Sequence, residues 1–155
     1  NLFQAVKTEK TVMWVILSLI IAVAAFNIIS MLVMVVTDKQ PDIAILKTMG
    51  ARDGTVMRIF VIQGSVIGVV GTLLGVIGGI LLAMNIGSVV PFLEGLFGFS
   101  LFPSDIYYIT ELPSDLQSAD VIKFALMSLG MSLLSTLYPS WRAARTHPAE
   151  ALSYE

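Results

Sequence analysis

Charged residues are confined to short clusters, and between them run three uncharged stretches: Thr11 to Thr37 with 27 residues, Ile59 to Leu93 with 35, and Phe124 to Trp141 with 18. At about 1.5 Å per residue the first would measure roughly 40 Å as a helix, more than the ~30 Å hydrocarbon core of a bilayer, so it must tilt or project into the headgroups. The pattern predicts an all-α membrane protein with three transmembrane helices over 11–37, 59–93 and 121–141. The second is longer than one crossing needs and is expected to bend near Gly87 or Pro91. The flanking pieces read as an interfacial lead-in over 1–10, a charged connection over 38–58, an acidic loop over 94–120 and a polar tail over 142–155.

The connection DKQPDIAILKTMGARDGTVMR contains a helix of its own. Pro41 suits a first helical position, Asp42 complements the positive end of the helix dipole, and Gly50 is a natural stop. At about 100° per residue Ile43, Ile45, Leu46 and Met49 fall on one side and Ala44, Lys47 and Thr48 on the other, which makes a short amphipathic helix. Asp53 is expected to cap the helix that follows. A short helix across the mouth of two spans suits the docking of another protein; a solvated turn lying on lipid headgroups is the alternative.

Five glycines of the second span, Gly64, Gly68, Gly71, Gly75 and Gly79, lie within about 80° of one another on a helix, the small-residue stripe that lets another backbone approach closely. In the first span Phe26, Asn27, Ser30 and Met34 share one face within about 100°. Asn27 at mid-span is costly to leave against lipid, so that face is expected to meet another helix or line a cavity. From Glu94 through Asp120 stand five acids and no Lys or Arg, and the aromatics there, Phe97, Phe99, Phe102, Tyr107 and Tyr108, with Phe92 just before, suit the membrane interface. A short strand is expected at YYIT, ended by Pro113.

Composition narrows the class further. The chain is 56% hydrophobic and 13% charged, with a mean hydropathy of +0.87, outside the range of a soluble domain. The net charge of −2, without a basic patch, argues against nucleic acid as a partner. No cysteine means no disulfide framework and no thiolate site. Lys39, Lys47, Arg52 and Arg58 in the connection, with Arg142 and Arg145 in the tail, place both on the cytoplasmic side and the acidic loop outside; Lys7 and Lys10 then break the positive-inside rule. There is no phosphate-binding GxxxxGK[ST] loop and no carboxylate pair within a span, and His147, the single histidine, lies in the polar tail. No catalytic residue and no metal ligand set is expected. The chain, which begins at Asn1, is expected to be part of a longer protein.

These residues resemble the permease subunits of the lipoprotein-releasing ABC transporter, the LolC/LolE type, within the FtsX/MacB-like permease group. NLFQAVKTEKTVM leading into VAAFNIISMLVMVV is similar to the family's second transmembrane helix, DIAILKTMGA to its cytoplasmic coupling helix, RIFVIQGSVIGVVGTLLGVIGG to its third helix, and YPSWRAARTHPAEALSYE to its fourth-helix exit and tail. Gln40, Pro41 and Ser153 stand where the family often carries basic residues. The resemblance implies an inner-membrane, multi-pass permease with a cytoplasmic C-terminus that extracts lipoproteins from the outer leaflet. Its implied partners are an ABC ATPase dimer that binds ATP and Mg, a second permease copy or paralogue, a triacylated lipoprotein and a periplasmic carrier; no cofactor belongs to this chain. It assigns ATPase docking to Asp42, Ile43, Ile45, Leu46, Lys47, Met49 and Gly50, and the face of Phe26, Asn27, Ser30 and Met34 suits a cavity that holds acyl chains and releases them. A macrolide-exporter permease and an FtsX-like subunit that transmits ATPase motion without moving a substrate are the competing readings.

Overall fold

In a computed structural model, which describes residues 1–99 and 116–153, every regular element among the described residues is α-helical. In chain order they are α1 (Leu2–Asp38), α2 (Gln40–Thr48), α3 (Asp53–Met84), α4 (Ile86–Phe97), α5 (Ser118–Ala144) and α6 (Pro148–Leu152). Three of them, α1, α3 and α5, are long and apolar enough to cross a membrane, and only a small share of their most apolar stretches is buried within the chain. The rest of each surface is left to lipid or to other chains.

Several boundaries move from the sequence expectation for local reasons. The lead-in over 1–10 is the exposed beginning of α1, because nothing from Leu2 to Asp38 is a glycine or proline that would interrupt the helix. The cap expected at Asp53 is corrected: the backbone N–H groups of Thr55 and Val56 donate to the Arg52 carbonyl at 2.9 and 3.3 Å, so Arg52 caps α3 and Asp53 is its first helical residue. The second span breaks at Asn85, ahead of both Gly87 and Pro91. The Asn85 side-chain amide donates to the Leu81 carbonyl at 2.8 Å, the backbone competition that makes asparagine a helix terminator. Gly87 and Pro91 lie inside α4, which ends at Gly98 with φ +69°. The loop expected over 94–120 therefore starts in α4 and ends in α5. The strand expected at YYIT and the aromatics Phe102, Tyr107 and Tyr108 lie outside the described residues.

The described chain falls into two units, one built from Asn1–Val69 with the chain from Met127 onward, the other within Val70–Leu126. The first holds a core of Val36 from α1, Ile43 from α2, Val56 and Phe60 from α3 and Ala143 from α5, with Val35 packed against it. Along α3 the buried residues are Val56, Phe60, Gly64 and Gly68, one every fourth position. On α5 Ser132, Thr136, Ser140 and Ala144 step by four in the same way, so a row of glycines meets a row of small hydroxyl residues. The approach is close. A β-carbon placed on Gly64 would fall 2.2 Å from Cγ2 of Thr136, and one on Gly68 2.0 Å from Oγ of Ser132.

Candidate docking helix and its seat

The nine residues of α2 are bounded by chemistry at both ends. Pro41 and Asp42 occupy its first turn and Lys47 its last. At its C-terminus Gly50 takes φ +102°, its N–H donates to the Lys47 carbonyl, and the Ala51 N–H donates to the Leu46 carbonyl. That pair of bonds is a Schellman motif, which satisfies two carbonyls that a helix end leaves open and turns the chain toward α3. The glycine stop is thus met at the residue the sequence indicates.

Which side of α2 faces the protein differs from the expectation. Ile43 is 3% exposed and Ala44 fully buried, whereas Ile45, Leu46 and Met49 are 50%, 42% and 80% exposed. At about 100° per residue Ile43, Ala44 and Lys47 span one arc and Ile45, Leu46 and Met49 the opposite one. Ile43 and Lys47 are therefore corrected from outward docking positions to the seat of the helix. Ile43 joins the core, and α2 packs on α6 and touches α1. Lys47, with a side chain only 10% exposed, donates from Nζ to the Ala144 carbonyl at 2.5 Å and the Thr146 carbonyl at 2.8 Å, and pairs with Oδ1 of Asp53 at 2.9 Å. A cation at the C-terminal end of α5 also meets the negative pole of that helix. Asp42 is outward and pairs with Lys39 at 3.2 Å, both groups being well exposed, a contact worth at most about 1 kcal/mol. Beyond the end of α5, the Arg145 guanidinium lies 4.3 Å from the centre of the Trp141 ring.

The result is an apolar patch of Ile45, Leu46 and Met49 on a helix held from behind. Hydropathy does not reveal the seat, because Lys47 reads as a solvent residue until the Ala144 and Thr146 carbonyls are brought to it. The i, i+4 spacing of Ser132, Thr136 and Ser140 is the signal that would have identified the partners of the glycines.

The other candidate faces divide. Of the five glycines Gly64 and Gly68 are packed, while a β-carbon on Gly71, Gly75 or Gly79 would meet nothing within 4 Å. Within this chain the stripe is a packed pair, Gly64 and Gly68, followed by three open positions. Phe26, Asn27, Ser30 and Met34 are all exposed on α1, opposite its buried Ala25, Leu32 and Val36. The Ser30 hydroxyl turns back onto the Phe26 carbonyl at 3.0 Å.

Residues 14–148 match the family described as FtsX-like permease C-terminal. The chain is 56% identical over 155 residues to the lipoprotein-releasing system transmembrane protein LolC of Xylella fastidiosa (strain Temecula1 / ATCC 700964), covering 100% of this chain and 38% of that protein. It is 56% identical over 153 residues to the LolC protein of Neisseria meningitidis serogroup B, covering 99% and 37%. With the lipoprotein-releasing system transmembrane protein LolE of Haemophilus influenzae the identity is 40% over 152 residues, covering 98% and 36%. The chain spans somewhat more than a third of the length of these relatives.

Proposed function

The chain belongs to the FtsX-like permease family, and on that footing we propose that it is the C-terminal membrane region of a permease subunit in a lipoprotein-releasing ABC transporter. In this reading the transporter extracts lipoproteins from the outer leaflet of the bacterial inner membrane and hands them to a periplasmic carrier. The permease itself is not an enzyme; ATP and Mg are bound by a dimer of a separate ATPase subunit. The names and identities of the LolC and LolE relatives support the substrate class.

The observation that carries the reading is the exposed Ile45, Leu46 and Met49 patch on a helix fixed from behind. A partner that presses on such a patch moves the spans beneath it, whereas a freely tethered loop would absorb the motion. The basic residues near α2 and in the tail favour a cytoplasmic location for both, where an ATPase would reach them. The exposed face of Phe26, Asn27, Ser30 and Met34 supplies a mixed surface for acyl chains: each CH₂ buried against a wholly apolar wall would add about 0.8 kcal/mol of binding and hinder release. The open Gly71, Gly75 and Gly79 are available to the second permease subunit, which would complete the small-residue contact.

The test is purification of the full-length protein from membranes, with identification of the proteins that accompany it. An ABC ATPase and an acylated protein are expected. An ATPase fused to the same polypeptide would favour the exporter reading, and an ATPase with periplasmic hydrolase partners and no acylated cargo would favour the signalling one.

A further inference from the structure

We propose that Lys47 is the positioning residue that ties the docking helix to the end of α5, with a weaker, solvent-screened link to the start of α3, so that force applied to α2 is passed chiefly to α5; this rests on the docking reading above. A nine-residue helix does not hold itself in place, and α2 buries only Ile43 and Ala44. The inward charged group is the Lys47 ammonium, which has three donors. It meets three acceptors: the carbonyls of Ala144 and Thr146 and the carboxylate of Asp53. Ala144 is the last residue of α5, where carbonyls lack partners within the helix, and Asp53 is the first residue of α3. One cation therefore joins the docking helix, the end of one span and the start of another.

The three links differ in weight. Asp53 is 74% exposed, so its pairing is screened by solvent, while the carbonyl bonds lie under a side chain that is 10% exposed. The same burial keeps Lys47 away from any partner that arrives at α2 from outside. Its role is exerted through α2 rather than by contact with the ATPase.

The experiment compares Lys47→Met, which keeps the stem and removes the donors, with Lys47→Arg, which keeps a cationic donor, and Asp53→Asn, which weakens the exposed link alone. Each full-length variant is purified with its ATPase and reconstituted in lipid, and three quantities are read: ATPase bound, ATP hydrolysed and acylated protein released. Lys47→Met is expected to retain the ATPase, because Ile45, Leu46 and Met49 are untouched, while release per ATP falls about tenfold, the scale of losing charge-assisted hydrogen bonds. Lys47→Arg should restore that ratio to within about threefold and Asp53→Asn should stay within about twofold. A Lys47→Met protein that couples like wild type overturns the inference, as does a Lys47→Arg protein that assembles but does not couple. The second comparison decides alone if the methionine variant does not accumulate. Should the wild-type protein bring down no ATPase, the docking reading fails by itself, and the tie is then judged by hydrogen exchange. The amides of residues 43–48 are expected to exchange about tenfold faster in Lys47→Met than in wild type, and equal rates overturn it.

Discussion

Adding one methyl group at Gly68 is expected to destabilise the protein, and removing one oxygen from Ser132 is expected to restore it. In Gly68→Ala the new β-carbon would stand 2.0 Å from Oγ of Ser132 and 3.0 Å from its Cβ. The first separation is far inside van der Waals contact and forces α3 and α5 apart or the serine out of its rotamer, an overpacking cost of about 1–3 kcal/mol. Ser132→Ala deletes the atom responsible and leaves the 3.0 Å approach of two β-carbons, which a shift of a few tenths of an ångström absorbs. The oxygen is also dispensable, since the buried Ser132 hydroxyl has no hydrogen-bond partner. Its removal alone should be neutral or slightly stabilising. The double variant should therefore recover most of the loss, with a coupling energy of about 1–2 kcal/mol. Unfolding of the purified full-length protein in a single detergent, followed for wild type, both single variants and the double variant, measures the cycle. Additive effects, or a Gly68→Ala protein as stable as wild type, would refute the close approach of these two helices.

Gly71→Ala and Gly75→Ala, by contrast, should not destabilise the subunit separated from its partners, because a β-carbon there meets nothing in this chain, and better helix propensity should add up to about 1 kcal/mol; a loss on the scale of Gly68→Ala would contradict that. Leu46→Asp and Met49→Asp place a carboxylate in the docking patch and should reduce ATPase recovery at least tenfold without lowering protein yield; normal recovery would rule out docking through this face. Photo-crosslinking residues at Phe26 and Met34 are expected to capture acylated protein in the working transporter, and adducts formed only with another permease helix would remove the cavity reading.

The spans were legible because charge is excluded from hydrocarbon over stretches as long as Thr11 to Thr37, and no packing detail is needed to see it. The short helix α2 was legible from Pro41, Asp42 and Gly50, whose effects act within one or two turns. Its orientation was not. Periodicity grouped Ile43 with Leu46 and Met49 because all three are apolar, but the seat also takes in a lysine whose acceptors lie 97 and 99 positions along the chain. The glycine phase was legible, yet where the packing stops depends on the reach of Ser132 and Thr136. Asn85 went unnoticed as a terminator because a single amide barely alters the hydropathy of its surroundings.

The hydroxyls along the buried face of α5 have a mechanical consequence. Those of Ser135, Thr136 and Ser140 each bond a carbonyl of their own helix, and that of Ser132 bonds none, so no hydroxyl of this row reaches across to α3. The contact of Gly64 and Gly68 with Thr136 and Ser132 is therefore made by dispersion and shape rather than by hydroxyl bonds. The contact has the shape of a plain bearing, with Lys47 at one end bonded to the last carbonyl of α5 and paired with the first side chain of α3. Movement of α5 along α3 at Gly64 and Gly68 would therefore stretch no hydroxyl bond of this row.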